Sequence, residues 1–113
     1  MLEYTDFTGK DFEFTIVHPD DFSIDGDTFD KLMTPDDMEW LKVQKDGWES
    51  YRVGHDEFSY SWEPPGLQMT FSENFPFVKA KQIVEQVVEK LKKNYRQEFT
   101  FEFIPYRAPT KAV

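Results

Sequence analysis

Residues 58–72, FSYSWEPPGLQMTFS, constrain the fold more than any other stretch of the chain. Phe58, Tyr60 and Trp62 alternate with Ser59 and Ser61. After Glu63-Pro64-Pro65-Gly66 the alternation resumes, with Leu67, Met69 and Phe71 against Gln68, Thr70 and Ser72. Period-two alternation sends successive side chains to opposite faces of a strand. Proline has no N–H to give a ladder, so pairing must stop between the runs, and Pro65-Gly66 suits the central positions of a type II turn. A loop of even length sets Phe58, Tyr60 and Trp62 on the same face as Phe71, Met69 and Leu67. A slip of one residue would carry one of these sets to the other side.

The same parity holds across residues 54–57, Gly54-His55-Asp56-Glu57, and adds Tyr51 and Val53 of the run 48–53 to the aromatic face. A three-strand meander is therefore predicted. Phe12, Phe14 and Ile16 alternate with Glu13 and Thr15 in a first strand ended by His18-Pro19, and residues 98–104 alternate Phe99, Phe101 and Phe103 with Thr100 and Glu102 in a last one closed by Pro105. Between residues 77 and 95, Phe77, Ala80, Ile83, Val84, Val87, Val88, Leu91 and Tyr95 recur at spacings of three and four, the stripe of an amphipathic helix. Asn74 is placed to cap it and Pro76 to occupy its first turn; Lys90, Lys92 and Lys93 complement the negative end of its dipole.

The segment from Pro19 to Asp30 reads as an acidic loop pinned to the body by Phe22, Ile24 and Phe29. Thr34-Pro35-Asp36-Asp37 is a helix-start signal, so a short helix over 35–45 is expected, with Met38, Leu41 and Lys45 on one face and Gly47 as its stop. The alternative makes 38–44 a strand turned back through Asp46-Gly47, a dipeptide suited to a type I′ hairpin. The expected fold is α+β, in β-α-β-β-β-α-β order: a mainly antiparallel sheet of about five strands with the long helix packed on its aromatic face. A strand–helix–strand crossover at the end implies a last strand parallel to residues 67–72. One domain over 1–106 and a loose tail over 107–113 complete the expectation.

Composition narrows the function. At 113 residues the chain suffices for one core. It holds no Cys, which removes disulfides, thiolate nucleophiles and Cys-based metal sites and points to a reducing compartment. No secretory n-region precedes an apolar run near the first residue, and no apolar run is long enough to span a bilayer, so a cytoplasmic location is expected. The formal charge of −9, from 22 acidic against 13 basic residues, opposes binding to a phosphate backbone or an anionic membrane and suits a basic protein. The five glycines are scattered, so no phosphate loop exists. Phe58, Tyr60 and Trp62 lack flanking cations and read as core instead of a base-stacking platform.

Three constellations merit chemical reading. Asp21, Ser23, Asp25, Gly26 and Asp27 match the first half of a calcium loop, but Leu32 stands at position twelve where a bidentate Glu belongs. His55-Asp56-Glu57 lies at a strand connection without a nucleophile elbow or oxyanion motif, and His18 is the only other histidine. Ser59, Ser61, Gln68, Thr70, Thr100 and Glu102 form a flat polar face opposite the aromatic one. These features imply a non-catalytic interaction protein of a bacterial or phage cytoplasm, of the immunity, inhibitor or assembly-factor type, needing no cofactor. Its expected partner-binding residues are Asp20, Asp21, Asp25, Asp27, Asp36, Asp37, Trp40 and Trp48. The alternative is a small-molecule-binding domain with Trp40, Trp48 and Tyr51 lining a cleft. A metal-assisted hydrolase using Asp21, Asp25 and Asp27 is the third.

Overall fold

A computed structural model describes residues 2–4, 6–108 and 110–111. The element order is β1 (Leu2–Glu3), β2 (Phe12–Val17), α1 (Gly26–Leu32), β3 (Leu41–Lys45), β4 (Trp48–Val53), β5 (Asp56–Glu63), β6 (Gly66–Phe71), α2 (Phe77–Tyr95), β7 (Thr100–Pro105) and β8 (Thr110–Lys111). Six strands form one antiparallel sheet in the order β3-β4-β5-β6-β2-β7, and β1 pairs separately with β8. The fold is thus α+β, with one strand more than expected in the main sheet.

The β5–β6 pairing follows the aromatic alternation: Phe58 lies opposite Phe71, Tyr60 opposite Met69 and Trp62 opposite Leu67. The turn is tighter than expected. Glu63 pairs with Gly66, leaving Pro64-Pro65 as the loop, so Gly66 is a ladder residue and not the centre of a type II turn. Its glycine is required by a close approach: a Cβ there would stand 2.4 Å from the Ile16 carbonyl oxygen of β2. Between β4 and β5 the loop shrinks to Gly54-His55, with Val53 opposite Asp56 and Tyr51 opposite Phe58. This moves the register by two residues and leaves every face unchanged.

The expected helix over 35–45 is a strand. β3 pairs with β4 through a two-residue turn at Asp46 (φ 53°) and Gly47 (φ 78°), both in the left-handed region that a type I′ turn demands. Helix-start residues 34–37 are spent elsewhere. The Thr34 hydroxyl donates to the Asp30 carbonyl at 2.5 Å, Lys90 pairs with Asp36 at 2.8 Å, and Gln86 donates to Asp37 at 2.8 Å. The chain forms its short helix earlier, over Gly26–Leu32, beginning inside the segment read as a loop and running two residues past it.

β2 is the most deeply buried strand, with Phe12, Phe14 and Ile16 at 1 % exposure or less. It lies between β6 and β7 and pairs antiparallel with both, so β6 and β7 run the same way without touching. The crossover through α2 accordingly spans one intervening strand. α2 buries Ala80, Ile83, Val84, Val87, Val88 and Leu91 against the aromatic face, each larger side chain contributing about 1.5–3 kcal/mol. Its N-cap is Pro76 in extended conformation, not Asn74; the Phe77 N–H donates to the Phe7 carbonyl at 3.1 Å, so a neighbouring segment holds the helix start. At the other end Arg96 adopts φ 54° and its N–H returns to the Lys92 carbonyl. Aromatic edges fill the interface between helix and sheet, as where Phe12 of β2 meets Phe77 of α2 at 5.5 Å.

Arg107 stands over the Phe7 ring at 4.0 Å and pairs with Asp11 at 3.1 Å and Asp6 at 3.4 Å, while Tyr106 donates its N–H to the Asp11 carbonyl. These contacts fasten the chain beyond β7 to the segment before β2.

Candidate functional site

α2 packs on the aromatic face at β2 and β7, where Phe77 meets Phe12 at 5.5 Å and Phe103 at 5.2 Å. The rest is roofed by the segment from His18 to Trp40, and a cleft remains beneath it. Phe22 anchors the roof on Tyr95 and Phe99, each 4.9 Å away, as the isolated aromatics of an acidic loop suggested. Phe29 meets Tyr60 edge-on at 5.7 Å, and the Tyr60 hydroxyl donates to the Met33 carbonyl at 2.8 Å. Lys90 of α2 donates to the carbonyls of Lys31 and Thr34, closing the far end of α1.

The cleft has a volume of about 380 Å³ and is lined by Gly26, Phe29 and Asp30 of α1, Lys42 of β3, Glu49 and Tyr51 of β4, and Tyr60 and Trp62 of β5. Strand alternation explains the set: Lys42 lies opposite Tyr51, so both share the aromatic face, and Glu49 is two residues from Tyr51. Asp30 is the hub. Its Oδ1 accepts the Tyr51 hydroxyl at 2.5 Å, and its Oδ2 lies 3.4 Å from Lys42 Nζ. Glu49 reaches the same ammonium at 3.5 Å and also accepts a bond from Gln44 at 2.8 Å.

Burial, then the bond to Asp30, pushes the Tyr51 hydroxyl far above its ordinary pKa, and burial does the same for Tyr60. Both therefore stay protonated donors. Burial opposes the charge on Lys42, but Asp30 and Glu49 together outweigh it and raise its pKa. At the mouth Trp62 is 48 % exposed, beside the rings of His18 at 5.5 Å and Phe22 at 6.3 Å.

Of the eight expected partner-binding residues, Asp20, Asp21, Asp25 and Asp27 are exposed and make no ion pair among the described residues. Asp25 and Asp27 flank Gly26 at the cleft. Asp36 and Asp37 are engaged by α2. Trp40 is half-buried, packs edge-on against Tyr51 at 5.8 Å, and borders a separate hollow of about 520 Å³ with Met38 and Leu41. Trp48 is exposed on the opposite face of the sheet, beside Ser50, Ser59 and Thr70. Of the three rings expected to line a cleft, only Tyr51 lines this one.

The calcium-like residues Asp21, Ser23, Asp25 and Asp27 do not form a loop around a point, because the chain enters α1 at Gly26. Among the described residues no three His, Cys, Asp or Glu side chains come together to hold a metal ion. Asp56 accepts from Lys79 of α2 at 2.9 Å, and Glu57 accepts from Ser50 and Arg52 of β4, which ties the first acid to the helix and the second to the sheet. On the polar face Ser59 bonds Thr70 at 3.1 Å and Gln68 bonds Glu13. No helix among the described residues is long and apolar enough to cross a membrane.

No known family matches the chain, and no curated protein or solved structure is significantly similar to it. The functional reading rests on the site alone. Asp30, Lys42, Glu49 and Tyr60 were not singled out in the sequence. Tyr60 and Trp62 read as core, yet Trp62 near the end of β5 is half exposed because the roof does not cover it, and Asp30, Lys42 and Glu49 carry no local pattern that separates them from ordinary surface charges.

Proposed function

We propose that this protein is a non-catalytic binding protein of the immunity, inhibitor or assembly-factor kind, which meets a basic protein through the acidic segment 20–27 and the adjoining cleft. One observation carries the reading: Asp20, Asp21, Asp25 and Asp27 are exposed and make no ion pair among the described residues, in a segment whose Phe22 packs beside the half-exposed Trp62 of the cleft and whose Gly26 lines it, whereas Asp11, Asp30, Asp36 and Asp56 are paired. Exposed aromatic anchors supply affinity in protein interfaces, and unpaired charge around them speeds encounter.

The test compares affinity capture from native lysate by the wild-type chain and by two variants. One carries Asp20→Asn, Asp21→Asn, Asp25→Asn and Asp27→Asn together; the other carries Trp62→Ala. A stoichiometric basic partner retained by the wild type, weakened in high salt and lost by both variants supports the reading. Equal capture by all three proteins, or no partner at all, rejects it.

A second reading, a small-molecule-binding domain, is favoured by the cleft volume of about 380 Å³, which falls in the range of ligand pockets, about 300–1,000 Å³. A ligand held there raises the melting temperature of the wild type and not that of Asp30→Asn.

A further inference from the structure

The ion pairs inside the cleft are poorly matched to the residues that make them. Lys42 stands 3.4 Å from Asp30 and 3.5 Å from Glu49, beyond the 2.7–2.9 Å usual for an ammonium–carboxylate bond, and a third or more of each of the three side chains is exposed or nearly so. Ion pairs of this kind hold weakly. Two carboxylates face one ammonium, so the site carries one negative charge in excess. Asp30 is nevertheless fixed, because the Tyr51 hydroxyl, kept protonated by its burial and by Asp30 itself, grips one carboxylate oxygen at 2.5 Å. The remaining walls are the rings of Phe29, Tyr60 and Trp62. A site with two acids on one side, aromatic surface on the other, and a loosely bound flexible ammonium between them fits one kind of group. A guanidinium is planar, stacks on aromatic faces and presents a fork of donors to carboxylates, and it is less strongly hydrated than the ammonium it would replace.

We propose that the cleft binds one arginine side chain of the basic partner, its guanidinium held by Asp30 and Glu49 against the Trp62 ring, and that Lys42 is an internal placeholder which the arginine displaces. The inference deepens the partner reading above and rests on it for the source of the arginine. It has a consequence of definite sign. Removing Lys42 removes a competitor, so Lys42→Met strengthens guanidinium binding. A site for an anionic group would respond in the opposite way, because Lys42 is the only cation lining it among the described residues.

The experiment titrates the full chain with agmatine, butylamine and acetate, following backbone amide shifts by NMR, and repeats the titrations on Lys42→Met and Asp30→Asn. Expected for agmatine are saturable shifts confined to residues 26–30, 42, 49–51 and 60–62, weaker shifts with butylamine and none with acetate. Lys42→Met tightens agmatine binding about three- to tenfold, the scale on which a weak exposed ion pair competes. Asp30→Asn abolishes the shifts. Should Asp30→Asn fail to fold, Lys42→Met and Glu49→Gln, both at exposed positions, decide the matter. Absence of saturable shifts with agmatine, saturable binding of acetate, or weaker agmatine binding by Lys42→Met overturns the proposal. Saturating agmatine must also release a partner captured by the chain. A partner that stays bound overturns the arginine assignment and leaves the partner reading intact, whereas agmatine binding without any partner retains the guanidinium site and removes the partner reading.

Discussion

The Tyr51 hydroxyl on β4 donates a 2.5 Å hydrogen bond to Oδ1 of Asp30 on α1, joining the sheet to the acidic segment above it. The bond does two things at once. It satisfies a phenol whose strand position buries its ring, and it orients the carboxylate around which the cleft is built. Lys42, which also reaches Glu49, meets Asp30 where this contact helps to set α1 over β3 and β4.

Tyr51→Phe removes the donor without disturbing the ring and lowers stability by about 1.5–3 kcal/mol, the usual worth of a bond to a charged acceptor. Asp30→Asn has a similar cost. Urea unfolding of both single variants and the double variant closes a cycle whose coupling energy is about 1 kcal/mol; a coupling of zero shows that the bond contributes nothing in solution.

Gly66→Ala and Gly26→Ala form a contrast. At Gly66 a Cβ would lie 2.4 Å from the Ile16 carbonyl, and β2 is locked between β6 and β7, so the substitution costs about 3 kcal/mol or prevents folding. At Gly26, the exposed first residue of α1, nothing stands within 4 Å of the added methyl, and alanine stabilises by about 0.5 kcal/mol. Thermal unfolding of the two variants reads the difference; equal melting temperatures contradict it.

Lys90→Met tests how α2 holds the roof of the cleft. Lys90 is largely buried and donates to the carbonyls of Lys31 and Thr34 while pairing with Asp36. Methionine keeps the aliphatic stem but leaves those acceptors without their donor, at a cost of about 1–3 kcal/mol. Hydrogen exchange quickens at amides 30–37 more than in β2 or β6. Uniform acceleration across the chain would mean that the lysine serves global packing instead.

Acid and base loosen the chain through different groups. The Thr8 N–H, then the Arg107 guanidinium, hold the Asp11 carboxyl below its ordinary pKa of 3.8. A depressed pKa contributes stability that is complete above the unfolded value and is lost as pH falls through the folded one, so the contribution fades from about pH 4 downward. Tyr106, pushed up to about 12 by burial and by its bond to Glu13, acts with the opposite sign, contributing fully below pH 10 and losing that contribution between about 10 and 12. Asp11→Asn flattens the acid limb and Tyr106→Phe the corresponding part of the alkaline one, as measured by urea midpoints across pH. Unchanged limbs would remove these groups from the linkage.

Some of this architecture was legible in the residues because it is local. Alternation in 58–62 and 67–71 assigned the faces of β5 and β6, and a two-residue change in loop length left those faces intact. The stripe from Phe77 to Tyr95 marked α2 to the residue. Residues 35–45 misled because Thr34-Pro35-Asp36-Asp37 is a genuine capping pattern. Its polar groups found partners in α1 and α2, and the following residues gained more by pairing with β4 through the Asp46-Gly47 turn.

What the chain determines alone is which side of each strand is apolar and how long the main helix runs, since both follow from spacing along a single element. Which strands become neighbours is a matter for the folded body. β2 lies between β6 and β7, where both edges of its backbone find a ladder and its buried Phe12, Phe14 and Ile16 reach the centre of the face under α2, a placement no neighbouring residue expresses. The cleft belongs to that second kind. Asp30, Lys42, Glu49, Tyr51 and Trp62 come from four elements, each an ordinary polar or aromatic residue in its own segment, and only the docking of α1 over the sheet brings their charges and rings into one site.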